Sequence, residues 1–237
     1  LAKRKITRQT AVRFGMGASP NAWDALLTAM TRRGYTKKEL LDAGLVVQNR
    51  NGGLYDKFRN RLMLPVIDTR GDVVAFGSRV LDGSEPKYMN SSETPVYSKR
   101  RVLYGLNLAK KTKRPNIILC EGNLDIVTLH QAGFDSAVAS LGTSLTAEHA
   151  QLLARYFKDA VIAYDGDGAG VSAAQRAIPL LERAGLNVKV LRVKGAKDPD
   201  EFIKTYGPEA FARLLDKSEN HIDYRLEQLR GRYDLSD

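Results

Sequence analysis

From residue 116 onward the chain alternates short apolar runs with helical patterns, and this alternation restricts the fold more than any other feature. Asn116-Ile117-Ile118-Leu119, the segment 137–140, Ala160-Val161-Ile162-Ala163 and Val188-Lys189-Val190-Leu191-Arg192-Val193 read as strands. Between them, 123–132, 146–156 and 170–184 read as helices. Strands separated by helices predict an α/β domain with a mostly parallel sheet, placed at 115–206. Residues 208–230 read as helical throughout, with Phe211, Leu214, Leu215, Ile222, Leu226 and Leu229 as apolar anchors. They make a third segment, 207–237, of C-terminal helices.

Residues 1–114 are patterned differently. Ser19-Pro20 opens a helix through Trp23, Leu26, Leu27 and Met30, and Thr36 caps another that ends near Gly44. Asn49-Arg50-Asn51-Gly52-Gly53 is a turn signal; Leu62 to Ile67, a polar turn at Asp68 to Gly71, and Val73 to Gly77 read as a hairpin. Residues 54–100 are therefore expected to form a sheet with long polar loops. The basic, aperiodic stretch Lys110 to Pro115 marks the boundary. Overall the expectation is α+β, a mixed module of small helices and sheet followed by the α/β domain.

Charge divides along the same line. Of the net +10, residues 1–114 hold 23 Lys and Arg against 9 Asp and Glu, while residues 115–237 hold 14 against 18. A basic half joined to an acidic half fits a protein that grips a polyanion with one part and does metal chemistry on it with the other. Any single basic cluster, such as Arg32-Arg33 or Lys110-Lys111, reads equally well as a solvated face.

The acids of the second half fall at strand ends. Glu121 and Asp125 follow the first apolar run, Asp165 and Asp167 follow the third, and Lys197-Asp198-Pro199-Asp200-Glu201 follows the fourth. In a parallel sheet with right-handed crossovers the carboxyl ends of the strands open on one edge, so these acids converge there. Crowded carboxylates repel one another unless cations neutralise them. The donors are all oxygen, with no Cys or His pair, which points to magnesium or manganese and away from zinc. Magnesium commonly takes one or two carboxylates together with substrate phosphates, so a phosphate-bearing substrate is implied. Helix capping competes for the same residues: Asp before Gly is an ordinary turn, and Asp198, Pro199, Asp200 and Glu201 make an ordinary helix start.

A single Cys120 excludes an internal disulfide and a Cys-rich zinc finger, in keeping with a reducing cytoplasm. With no apolar run of about 18 residues, no signal-peptide pattern and no repeat, membrane insertion and secretion are not expected. The chain opens at Leu1 in the basic segment Lys3-Arg4-Lys5 without an initiator Met, as a fragment would.

Glu121-Gly122 with Asp125, then Asp165-Gly166-Asp167, then Asp198-Pro199-Asp200 resemble the TOPRIM domain of primases, topoisomerases and some nucleases. Upstream, Tyr55 to Pro65, Gly77 to Leu81, Pro86 to Ser91 and Leu103-Tyr104-Gly105-Leu106 resemble bacterial DnaG-type primases, as does Ala139 to Thr146. The likeness runs from about Phe14 to Glu201. It implies an RNA polymerase core that copies single-stranded DNA into short RNA primers from nucleoside triphosphates, with more than one magnesium or manganese ion. By position, Glu121, Asp165 and Asp167 would be the central catalytic and metal ligands, with Asp125, Asp198 and Asp200 completing the site. The matching candidates for gripping nucleotide and DNA are Arg59, Arg61, Arg79, Lys87, Tyr88, Asn90 and Lys99.

Two positions depart from the family's pattern: Asn123 stands where Tyr is usual, and Ser78 where Gly is usual. The resemblance also implies a cytoplasmic protein of the bacterial replication fork, with no membrane partner. A replicative helicase would be reached only through a C-terminal domain that this sequence does not carry, and no zinc site is expected within it. Competing readings are a TOPRIM-type DNA-cleaving enzyme, and a nucleic-acid-binding module whose acids only cap helices.

Overall fold

The computed structural model describes residues 4–193, 195–220, 222 and 224. The chain divides into two compact units, Leu1–Val102 and Leu103–Asp237.

In the first unit the elements are α1 (Arg8–Arg13), β1 (Gly17–Ser19), α2 (Ala25–Arg32), α3 (Lys37–Asp42), β2 (Val46–Gln48), β3 (Leu54–Asp56), β4 (Arg61–Ile67), β5 (Val73–Val80) and β6 (Tyr88–Asn90). Strands β1, β4, β5 and β6 form one antiparallel sheet in that order, and β2 and β3 form a separate hairpin. Alternation along β4 turns Leu64 and Val66 inward, where they join the buried Phe14, Phe58, Ala75 and Tyr97. The capping box at Thr36 is realised, its hydroxyl accepting from Glu39 N and the Glu39 carboxylate accepting from Thr36 N. The helix expected from Ser19-Pro20 begins only at Ala25, and Trp23 lies outside it, 67% exposed. Its amides are capped from a distance: buried Asp56 accepts from Leu26 N at 2.7 Å and Leu27 N at 2.9 Å. No local pattern signals a cap contributed thirty residues downstream.

In the second unit follow α4 (Leu106–Ala109), β7 (Asn116–Cys120), α5 (Asn123–Gln131), β8 (Ala137–Ala139), α6 (Ala147–Ala154), β9 (Asp159–Ile162), α7 (Gly168–Arg183), β10 (Asn187–Val190), α8 (Pro199–Tyr206), α9 (Pro208–Asp216) and β11 (Glu219–Asn220). Their sheet has the order β11-β10-β9-β7-β8, with β10, β9, β7 and β8 parallel and β11 antiparallel at the edge. The buried runs of β7 and β9 match a sheet covered on both faces, α6 packing on α7 and α5 on α8.

Leu103, Leu106 and Ala109, upstream of the expected boundary at 114, belong to the core of this unit. Tyr104 bridges to Ala139 beside the sheet. The basic residues 110–115 are thus a connection within the unit. The continuous helix expected over 208–230 is also corrected: α9 stops at Asp216, and Glu219–Asn220 pair with β10. Of its anchors, Phe211 is fully buried against Phe134 and Phe202, whereas Leu226 and Leu229 lie outside the described residues.

Candidate metal centre and basic face

The sheet order fixes where a site can form in the second unit. From β7 the chain crosses to β8 on one side, then returns past β7 to place β9 on the other, so the order reverses between β7 and β9. Adjacent loops leave the carboxyl ends of the strands in opposite directions at such a switch point, opening a crevice. Glu121 directly follows β7, and Asp165 stands three residues past the end of β9.

These two acids are joined through the backbone, the Glu121 carboxylate accepting from Asp165 N at 3.2 Å. Gly170 makes their approach possible. A Cβ there would lie 2.1 Å from the Asp165 carbonyl oxygen and 2.9 Å from Glu121 Oε1. Asp167 caps α7, accepting from Gly170 N at 2.8 Å through Oδ1. Asp198 caps α8 in the same manner, accepting from Glu201 N at 2.8 Å. Each cap occupies one carboxylate oxygen, which leaves the other available to a cation.

Asp125, Asp198 and Asp200 form the tightest group, each offering an oxygen within 4.8 Å of the others. Asp125 points back toward the end of β7 and accepts from Gly122 N at 3.1 Å. Asp200 is 8% exposed and shared between the Thr128 hydroxyl and Lys204, both at 2.5 Å. Glu121, Asp165 and Asp167 do not form a comparably close trio among the described residues.

Burial, followed by repulsion from Asp198, Asp200 and Asp165, pushes the Asp125 carboxyl up to about 8. Burial together with Glu121, Asp198 and Asp167 raises Asp165 to about 6, and burial raises Glu121 as well. Such perturbation is expected of a cluster built around a charge it does not itself contain. An all-oxygen donor set, paired acids and glycines clearing space for their carboxylates fit a divalent cation. Cys120, buried beneath these acids with its thiol driven up by burial, offers no thiolate ligand.

Lys204 and Thr128, which satisfy Asp200, had no place in the sequence reading. The i,i+4 spacing of Asp200 and Lys204 is the signal that could have paired them. Asn123 is the first residue of α5, so the acid spacing is kept around it.

The candidate binding residues of the first unit fall into four environments. Arg79 and Tyr88 face each other across β5 and β6, with the guanidinium 5.0 Å from the ring centre and donating to the Tyr88 hydroxyl. The Lys87 ammonium lies 5.8 Å from the centre of the same ring, and Tyr88 is 50% exposed. Asn90 continues the same strand. Ser78, buried between them, donates to Met89 O at 3.0 Å. Lys99 lies close enough to Lys57 to help burial lower the Lys57 ammonium.

Arg59 and Arg61 part company. Asn60 between them takes a positive φ of 51°, tolerated by Asn. Arg59 stacks 4.3 Å from Trp23 and 5.1 Å from Tyr55 on an accessible shelf. Arg61 is 5% exposed and donates from Nη2 to Pro86 O at 2.9 Å, tying down the loop that leads to Lys87 and Tyr88.

Residues 1–110 match the family described as DNA primase catalytic core, N-terminal domain, and residues 118–203 match the Toprim-like family. The DNA primase of Clostridium acetobutylicum is 46% identical over 235 residues, covering 99% of this chain and 39% of that protein. That of Escherichia coli K12 is 39% identical over 244 residues, covering 100% of this chain and 42% of that protein. The chain thus spans about two fifths of the length of these curated relatives. Among solved structures, the E. coli primase catalytic core superposes with a TM-score of 0.92 at 38% identity, covering all of this chain and 77% of that one. A DnaG primase catalytic domain bound to single-stranded DNA gives 0.90 at 38% identity, with 78% of that chain covered. Likeness of this extent, in sequence and in backbone, is kinship, and the chain belongs to the bacterial DnaG-type DNA primases.

Proposed function

We propose that this chain is the RNA-synthesising core of a bacterial replicative primase, making short RNA primers on single-stranded DNA from nucleoside triphosphates. The observation that carries the reading is the set of six acids at the carboxyl end of the parallel sheet, where Glu121 and Asp165 flank the reversal of strand order. In the reaction a 3′-hydroxyl oxygen attacks the α-phosphorus of the incoming nucleotide, a new phosphodiester P–O bond forms, and pyrophosphate departs with the electrons of the bond that breaks. Magnesium or manganese held by Glu121, Asp165 and Asp167, with Asp125, Asp198 and Asp200 behind them, would favour loss of the hydroxyl proton and offset charge on the leaving oxygens.

The residues supply positioning. Binding of a cation would compete with protons at Asp125 and Asp165, whose carboxyls are raised, and would displace them into solvent. In the first unit Arg79 and Lys87 offer charge to phosphates around an aromatic ring on which a base can stack. Arg59 offers a second, half-buried guanidinium on its aromatic shelf, and Asn90 and Lys99 extend the same role. Arg61 acts by holding the loop before Lys87. The basic module at 1–114 would grip template and nucleotide, and the domain at 115–206 would hold the metals. The partners are template DNA, nucleotides and the RNA product in the bacterial cytoplasm, with the replicative helicase engaged through another part of the full protein.

RNA synthesis on single-stranded DNA, with labelled nucleotides and manganese or magnesium, tests this beside the Asp165→Asn/Asp167→Asn double variant. Metal-dependent oligoribonucleotides from the parent alone are expected. Degraded DNA and no RNA would replace the reading with a TOPRIM nuclease, and intact DNA with no saturable manganese binding would leave a binding module.

A further inference from the structure

Beside Glu121 the same unit carries a second feature. A cleft of about 460 Å³ opens between the loop after β8 and the first turns of α7, bordered by Glu121, Gly142, Thr143, Ser144, Ala173 and Arg176. Its volume lies in the range of sites that enclose small molecules or single nucleotides. The loop is held in shape by a left-handed Gly142 (φ 68°) and by the Ser140 hydroxyl donating to Thr143 O at 2.6 Å. Arg176, on the exposed side of α7, forms no ion pair or hydrogen bond among the described residues. The lining thus combines a carboxylate of the metal centre, a cation and side-chain hydroxyls.

Resting on the primase reading, we propose that this cleft holds the 3′-terminal nucleotide of the growing RNA strand, with Arg176 on its backbone phosphate and Thr143 and Ser144 on the ribose. The charge count favours this occupant over the incoming triphosphate. A triphosphate brings about four negative charges and needs several cations, whereas one guanidinium matches the single charge of a phosphodiester. Hydroxyl side chains can donate to and accept from a 2′-hydroxyl, which distinguishes RNA from DNA. The neighbouring Glu121 carboxylate places the sugar's other end beside the acids proposed to activate a 3′-hydroxyl.

The test is equilibrium binding, by fluorescence anisotropy in manganese, of a DNA template carrying an annealed RNA primer, an identical template with a DNA primer, and the bare template. The parent is expected to prefer the RNA-primed template. Arg176→Gln is expected to weaken that binding roughly tenfold, the loss of one charge-assisted contact, while bare-template binding and manganese affinity stay at the parent's values. Thr143→Val/Ser144→Ala is expected to erase the preference for RNA over DNA primer. Arg155→Gln, outside the cleft at the end of α6, controls for lost charge. A parent without preference for primed template overturns the assignment. So does an Arg176→Gln variant that binds all three as the parent does, or weakens for all three alike. If the parent makes no RNA in the synthesis assay, the primase reading itself fails; an active parent with an unaffected Arg176→Gln variant removes only the cleft's assignment.

Discussion

Gly168 and Gly170 lie two residues apart at the start of the same helix, yet alanine at the two positions should act in opposite directions. At Gly168 a Cβ meets nothing within 4 Å, so Gly168→Ala only reduces the freedom of the unfolded chain and should stabilise by about 0.4–1 kcal/mol. At Gly170 the added carbon would lie 2.1 Å from the Asp165 carbonyl oxygen, 2.9 Å from its carbon and 2.9 Å from Glu121 Oε1. The backbone contact cannot be relieved by a rotamer change, so the Asp165 segment must retreat by on the order of 1 Å to reach van der Waals distance. Forced rearrangement of this kind costs roughly 1–3 kcal/mol, which outweighs the helix-propensity gain of under about 1 kcal/mol. The same movement stretches the Asp165 N to Glu121 hydrogen bond, so manganese affinity should fall at least tenfold while that of Gly168→Ala stays put. Urea unfolding of the metal-free proteins and calorimetric manganese titration of each measure the two effects. If Gly170→Ala is as stable as Gly168→Ala and binds manganese like the parent, the claim that this glycine sets the spacing of the two acids is wrong.

Proton competition gives a second expectation: with Asp125 near 8 and Asp165 near 6, apparent manganese affinity should climb between pH 6 and 8, and Asp125→Asn should flatten the upper part of that rise in a titration series. In the metal-free protein these raised groups bind more protons folded than unfolded across the same window, so denaturant stability should fall as pH rises from about 4 to 8 and recover on adding metal. Lys204→Met leaves the buried Asp200 carboxylate without its cation and should cost roughly 2–4 kcal/mol at neutral pH; urea unfolding at a loss below about 0.5 kcal/mol would refute the pairing. Arg59→Ala removes the guanidinium over Trp23 and should shift the emission of this single tryptophan while costing about 0.5–1 kcal/mol; unchanged emission would mean that the shelf does not persist in solution.

The parts of this fold that were legible in the sequence are those set by local rules. β7 begins and ends where the apolar run does, Thr36 and Thr146 cap the helices they precede, and the 61–80 hairpin follows its alternation. What escaped depends on contacts between distant residues. Leu103, Leu106 and Ala109 pack into the core of the second compact unit because they are apolar on the side that meets its sheet, a face that no charge count reveals. The helical run ending at Asp216 gives way to β11 because the edge of β10 is open to pairing, and sheet edges leave no mark in a helical pattern. Arg61 reads as one of two equivalent basic residues until Asn60 turns the chain and sends it inward. Six acids were identified as a group, but which three lie closest depends on the start of α8 coming against α5, a tertiary contact.

Capping and metal binding entered as rival explanations for the same acids, and the geometry makes them one device. Asp167 and Asp198 each give one oxygen to a helix amide and keep another free. An amide bond on one oxygen fixes the rotamer of the carboxylate, so the free oxygen is held in a defined direction before any cation arrives. A flexible acid would have to lose that freedom on binding, at a cost of several tenths of a kcal/mol or more for each side chain ordered. The positive ends of α7 and α8 also lie beside these carboxylates and lessen their mutual repulsion. Asp125, which sits deep among the acids and accepts from Gly122 N, is the one driven furthest toward the protonated form. Asp125, pressed hardest by its neighbours, thus has the most to gain when a cation is bound.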